Sequence, residues 1–265
     1  MTAMDLALKD KTALVSGSTA GIGRAIAAGL AAEGATVIVN GRKDEAVQRA
    51  VKEIGAVGGK VLGFAGDLGK ADVVQGLAEK HPKVDILVNN LGIFEVQQFE
   101  DIKDAEWQHC FDVNVLSGVR LARLYLPYMR ERNWGRIIFI SSESAYHIPA
   151  EMIHYGMTKA AQIAVARGLA ETLAGTGITV NSVLPGPTRS RGVGDFLADW
   201  AAKSGKTAAQ VEAEFFQTAR PTSLLKRFTT PEEVAAMVTY VASPRSAATN
   251  GAVLRADGGT VKSAF

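Results

Sequence analysis

The sequence predicts an α/β fold: one domain over residues 1–265, with a doubly wound, seven-stranded parallel sheet and helices on both faces. Three observations lead there. Short apolar, β-branched runs alternate with longer stretches of helical pattern. Those runs are apolar throughout, as strands covered on both faces must be, rather than alternating apolar and polar. No linker rich in Pro, Gly or Ser divides the chain, and its only repetition is the strand–helix alternation itself.

Residues 12–15 read as a buried first strand, and 21–33 as an alanine-rich helix closed by Gly34. Residues 36–39 form a second strand, followed by a charged helix over 43–54. A third strand, 60–65, ends at Gly66-Asp67, and a short helix leads to the fourth, 84–88. Residues 104–132 are helical with a break near the middle. The fifth strand is 136–140, a long helix covers 152–174, and the sixth strand, 178–184, ends at Pro185-Gly186. A polar and aromatic excursion over 187–228 resembles a lid, with helical patterns at 195–202 and 207–218. A helix over 231–241 and a strand over 252–255 close the series.

Composition narrows the function classes. The chain has 29 basic and 27 acidic side chains, a net charge of +2, which gives no electrostatic case for nucleic acid or a membrane surface. Its single cysteine, Cys110, can form no internal disulfide, and no metal-ligand spacing surrounds it or the histidines His109, His147 and His154. Residues 1–10 lack a basic segment followed by a long apolar run, and no apolar stretch reaches membrane-spanning length, so a cytoplasmic protein without a metal is expected.

The first strand runs into Ser16-Gly17-Ser18-Thr19-Ala20-Gly21-Ile22-Gly23 and then a helix. Glycines let a backbone turn sharply beside a pyrophosphate, and a helix start offers unpaired N–H groups at the positive end of its dipole. The spacing is G-x-x-x-G-x-G. That turn resembles the short-chain dehydrogenase/reductase family, with a general likeness to 3-oxoacyl-carrier-protein reductases, and the resemblance extends over nearly the whole chain. Asn89-Asn90-Leu91-Gly92 is similar to the family's Asn-Asn-Ala-Gly segment. Asn114, Ser142, Tyr155 and Lys159 match its catalytic tetrad in order and spacing, and Pro185-Gly186 its turn after the sixth strand. Ser16 stands for the usual threonine and Leu91 for the usual alanine.

The resemblance implies a Rossmann-type domain that binds NAD(P). It implies cofactor contacts from Gly17, Ser18, Thr19, Gly21, Ile22, Gly23, Arg42, Asp67, Leu68, Asn90, Gly92, Tyr155, Lys159, Pro185, Gly186 and Thr188. Asp67 and Leu68 would flank the adenine. At the end of the second strand, Gly41 stands where NAD-specific members resemble one another in carrying Asp, and Arg42 follows. A guanidinium grips a phosphate with paired donors, so NADP is expected as the preferred cofactor, with NAD the alternative.

Tyr155 and Lys159 are four apart on a helix and share a face. Free tyrosine has a pKa near ~10, and a lysine ammonium beside it would favour the phenolate. Tyr155 is thus expected to exchange the proton while hydride moves between nicotinamide and carbonyl carbon. Ser142 would polarise the substrate oxygen. Asn114 would hold a helix bend and, by resemblance, a water in a proton relay to Lys159. Tyr146 has Ala150 rather than lysine four residues on and is assigned to the pocket wall or to packing.

Ligands of open parallel sheets sit beyond the carboxyl ends of the strands. The segments leaving those ends carry Phe94, Ile148, Met152, Phe196, Trp200, Phe215 and Phe216. Family resemblance and the small residues Ala160, Ala161 and Ala164 on the Tyr155 helix point to a homotetramer. The rival readings are an epimerase or dehydratase with retained cofactor, and a non-catalytic dinucleotide-binding regulator. The intact tetrad speaks against the latter.

Overall fold

The computed structural model describes residues 5–264; residues 1–4 of the N-terminal stretch and residue 265 lie outside the described residues. Strands β1 (Thr12–Val15), β2 (Thr36–Gly41) and β3 (Val61–Ala65) alternate with helices α1 (Gly21–Ala32), α2 (Asp44–Gly55) and α3 (Ala71–Lys80). Then come β4 (Ile86–Asn89), α4 (Asp104–Phe111), α5 (Ser117–Glu131), β5 (Gly135–Ile140), α6 (Ile153–Thr172) and β6 (Ile178–Pro185). Helices α7 (Arg191–Ser204) and α8 (Ala208–Thr218) precede α9 (Pro231–Ala242) and β7 (Val253–Ala256). All strands are parallel, in the order β3-β2-β1-β4-β5-β6-β7. The expected seven-stranded, doubly wound Rossmann-type sheet is what the chain forms.

The strands carry apolar side chains to both faces because each face has its own helical layer. Ala13 and Val15 of β1 point to a cluster with Ile26 and Leu30 of α1 and Val234 and Val238 of α9. Leu14, between them, points to a second cluster with Leu121 and Tyr125 of α5 and Ala166 of α6. Burying one such leucine contributes about 1.5–3 kcal/mol, and cutting Leu14 to alanine would cost about 2–5 kcal/mol.

Local chemistry sets the helix ends. Thr230 accepts from the Glu233 N–H at 3.2 Å and Glu233 accepts from the Thr230 N–H at 2.8 Å, while Pro231 opens the first turn of α9. Gly205, at φ 65°, closes α7 in the left-handed region. The break expected in residues 104–132 is a π turn over Asp112–Leu116, joining α4 to α5. The lid residues form α7 and α8 over their own cluster of Leu197, Val211, Phe216 and Phe228. Among the described residues no helix is long and apolar enough to cross a membrane.

Candidate active site

The strand order reverses between β1 and β4, so the loops leaving these neighbours part in opposite directions and open a crevice at the carboxyl edge. A cavity of about 480 Å³ lies there, bounded by Ile22, Asn90 and Gly92 on one side and by Tyr155, Lys159, Pro185 and Gly186 on the other. Its volume is that of a small-molecule site.

The glycine turn is braced from three directions. The Ser16 hydroxyl accepts from the N–H groups of Asn90 and Leu91, each at 3.0 Å, tying the end of β1 to that of β4. Asn90 Nδ2 donates to the carbonyls of Ser16 and Gly17, each at 3.0 Å. Asn40, at the end of β2, accepts from the Gly17 N–H at 3.1 Å and donates to the carbonyls of Phe64 in β3 and Gly66 just beyond it. Gly17 and Gly21 both have positive φ, 63° and 56°. At Gly23 a Cβ would stand 2.4 Å from Asn90 Nδ2 and 2.6 Å from the Gly17 carbonyl oxygen, so the helix can approach this closely only with glycine.

The turn fits a dinucleotide pyrophosphate. Ala20, at the start of α1, provides no side-chain acceptor, and the first turn holds no acidic residue. The N–H groups there are left to a ligand, and nothing opposes its negative charge.

Other residues expected to touch the cofactor divide by what they expose. Ser18 is fully buried, its hydroxyl donating to the Val15 carbonyl and accepting from the Asn40 N–H while its own N–H donates to the Asn40 carbonyl at 2.8 Å, so neither donor is free for a ligand. Leu68 is 1% exposed and its side chain belongs to the second core cluster, so any contact with an adenine would come from its main chain. Asp67 is half-buried and accepts from the Gly69 N–H at 3.0 Å, closing a turn. Leu91 packs against that same core cluster, so its added bulk goes inward. Gly41 stands against Thr19: a Cβ there would be 2.5 Å from Thr19 Cγ2, which leaves an acidic side chain no room unless Thr19 moves. Arg42 is exposed next to it. Thr188 is buried, donating to the Gly186 carbonyl at 2.9 Å. Gly186 lies against Asp257, whose carbonyl oxygen would be 2.5 Å from a Cβ.

Ser142, Tyr155 and Lys159 line the inner end of the cavity, and Asn114 lies buried behind Gly92. Asn114 lies in the π turn; its Oδ1 accepts from the Ile93 N–H at 2.8 Å, and its Nδ2 donates to the Ile93 carbonyl and to Thr158 Oγ1, each at 2.9 Å. The amide thus fastens the loop after β4 to α6. Ser142, just beyond β5, accepts from the Ser144 N–H at 3.1 Å and faces the Tyr155 phenol. Ser141 donates instead to the Lys159 carbonyl at 2.7 Å, pinning α6 to β5. Lys159 Nζ donates to the Ile140 carbonyl at 3.0 Å and to Gln162 Oε1 at 3.2 Å, and lies 5.4 Å from the centre of the Tyr155 ring.

The electrostatics depart from expectation at one point. Tyr155 is pushed up to about 12, chiefly by burial, with Ser142 the main influence favouring its ionised form. Lys159 does not hold this phenol acidic in the protein alone, because its ammonium is turned to the Ile140 and Gln162 oxygens and is itself pulled down to about 8 by burial. The site therefore presents a protonated phenol, the form required to donate a proton.

The outer wall comes from the lid and neighbouring loops. Phe94, Met152, Trp200 and Phe215 line the cavity, and Phe94 packs edge-on to Tyr155 at 6.1 Å. Phe216 belongs to the lid cluster, Tyr146 and Ile148 are largely exposed outside the cavity lining, and the Phe196 side chain lies outside the described residues. Sequence reasoning missed Asn40, Gln162 and the pair Glu143–Arg220, whose partners are distant in sequence. Only the position of Glu143 beside Ser142 could have drawn attention to it.

The family model described as short chain dehydrogenase matches residues 11–207. The chain is 48% identical to an uncharacterized oxidoreductase, YvaG, of Bacillus subtilis, over 99% of this chain and 100% of the relative. It is 35% identical to a D-beta-hydroxybutyrate dehydrogenase of Cupriavidus necator, over 96% and 99%. Its fold superposes on L-sorbose reductase from Gluconobacter frateurii, complexed with NADPH and L-sorbose, with a TM-score of 0.91 and 30% identity, covering 98% of this chain and 100% of that one. With the glycine turn, the β1/β4 crevice and a convergent Asn-Ser-Tyr-Lys set, the chain belongs to the short-chain dehydrogenase/reductase family of NAD(P)-dependent oxidoreductases acting on CH–OH and C=O groups.

Proposed function

We propose that the protein reduces a small ketone to a secondary alcohol with NADPH, and catalyses the reverse reaction with NADP, using Tyr155 as the proton-transfer group. The observation that carries this is the Tyr155 phenol lining the cavity, with Ser142 beside it and Lys159 one helical turn behind. Bound nicotinamide supplies or accepts the hydride. Ser142 and Tyr155 hydrogen-bond the carbonyl oxygen, and Tyr155 gives it a proton as negative charge develops there. Lys159 holds the nicotinamide ribose hydroxyls and adds its positive charge behind the phenol. Asn114 fixes the π turn against α6, so the loop carrying Gly92 keeps its distance from Lys159. The lid excludes water from the reacting atoms.

Preference for NADPH is supported by the closed space at Gly41 and the exposed guanidinium of Arg42. The NADPH and L-sorbose of the similar reductase complex support a small, oxygen-rich carbonyl substrate. A cytoplasmic homotetramer belongs to the same reading: Ala160 and Ala161 are half-buried and Ala164 exposed along α6, where a second copy can pack closely. The test is loss of NADPH absorbance with a panel of keto sugars, 3-oxo acids and simple ketones. Turnover with any of them supports the reading, and none across the panel in either direction rejects it.

A further inference from the structure

We infer that Gln162 is a positioning residue for Lys159, a buried amide that links the lysine ammonium to the main-chain carbonyl of Asn114. Gln162 is three residues beyond Lys159 on the inner face of α6 and 1% exposed. Its Nε2 donates to the Asn114 carbonyl at 2.6 Å, and its Oε1 accepts from Lys159 Nζ at 3.2 Å. These two partners fix the amide's orientation. Reversed, the NH2 group would face the ammonium and the oxygen would face a carbonyl, replacing two hydrogen bonds by two repulsions.

The carbonyl that sets this orientation belongs to the π turn, so the bend in the central helix and the pose of the lysine are mechanically joined. With Ile140 taking a second N–H at 3.0 Å, two of the three ammonium protons are directed inward. The third is left for the cavity that Lys159 lines. An acceptor on the ammonium also favours its charged form, which burial opposes. The groups around Lys159 are few. Among the described residues, Cys110 on α4 and Tyr155 on its own helix are the titratable neighbours, while β5 and the π turn offer neutral carbonyls and amides.

The inference rests on the reading that Lys159, in its charged form, holds the cofactor, so the experiment measures NADPH binding alone. Fluorescence titrations of the full chain across pH, without any carbonyl compound, compare wild type with Gln162→Leu and Gln162→Glu. Wild-type affinity falls as pH rises through about 8, where Lys159 loses its proton. In Gln162→Leu the midpoint moves down by about one pH unit, so affinity drops about twofold near neutral pH and about tenfold well above pH 8. In Gln162→Glu a carboxylate replaces the neutral acceptor and the midpoint moves up. Weaker binding with an unmoved midpoint in both variants would mean that Gln162 merely packs, and overturns the assignment. If Gln162→Leu does not fold, the direction of the Gln162→Glu midpoint decides alone. A wild type without any midpoint overturns the reading of Lys159, which is a separate failure.

Discussion

Arg220 Nε lies 2.8 Å from Glu143 Oε1, joining the end of the lid to the residue that follows Ser142. Both side chains are nearly buried, at 11% and 5% exposure. Removing one partner of such a pair leaves an uncompensated buried charge. Arg220→Leu is expected to destabilise the fold by about 3 kcal/mol near neutral pH. The pH dependence has a definite sign. Burial raises the Glu143 carboxyl pKa and Arg220 opposes the rise. A carboxyl raised on folding contributes its stability at low pH and loses it as pH climbs through the folded pKa. Without Arg220 the rise is larger, so the variant's deficit grows from acid to neutral pH. Urea unfolding at about pH 5 and about pH 8 checks this; an equal deficit at both would contradict it.

Tyr155→Phe removes the proton donor and leaves the ring that packs on Phe94. Turnover is expected to fall about 10²–10⁴-fold while NADPH affinity stays within about twofold. In the wild type, reductive kcat/KM should decline as pH rises through about 8, because Lys159 becomes neutral there while Tyr155, held at about 12, keeps its proton. Single-turnover reduction followed across pH reads both effects.

Arg42→Ala tests the cofactor preference. A charge-assisted contact to a phosphate is worth about 1.5–3 kcal/mol, so kcat/KM with NADPH should drop about ten- to hundredfold. With NADH it should change little. Equal losses with both cofactors would remove Arg42 from phosphate recognition.

Gly23→Ala places a methyl where Asn90 Nδ2 and the Gly17 carbonyl now meet the helix. The Asn90 bonds to the turn cannot survive it. NADPH affinity should fall at least about tenfold, a loss about equal to one or two neutral hydrogen bonds, with the circular dichroism of the sheet and helices retained. Isothermal titration gives the first measurement.

The strands, the glycine turn and the Tyr155–Lys159 pair were legible because each depends on local pattern: apolar runs, glycine spacing, or two residues four apart on a helix; Asn114 and Ser142 were singled out by family resemblance. Residues 104–132 also showed their break, since Asn114 and its neighbours disrupt a regular helix. Contacts across the fold were not legible. Gln162 meets Asn114 across 48 positions and Arg220 meets Glu143 across 77. That the Leu68 side chain packs into the core beneath the sheet was not legible either, since its partners there come from distant elements. The acidity of Tyr155 could not be read from the spacing to Lys159, because enclosure of the phenol outweighs a cation already engaged elsewhere.

The π turn over Asp112–Leu116 fixes the length of its segment. Each residue of an α-helix advances the face by about 100°. Deleting one position here to restore an unbroken helix would rotate everything downstream by that amount. Leu121, Tyr125 and Met129, which share one buried face of α5, would swing away from the sheet. The chemistry at Asn114 and the seating of Tyr125, some 15 Å farther along α5, are therefore bound to the same residue count, and a one-residue deletion there would disrupt both together.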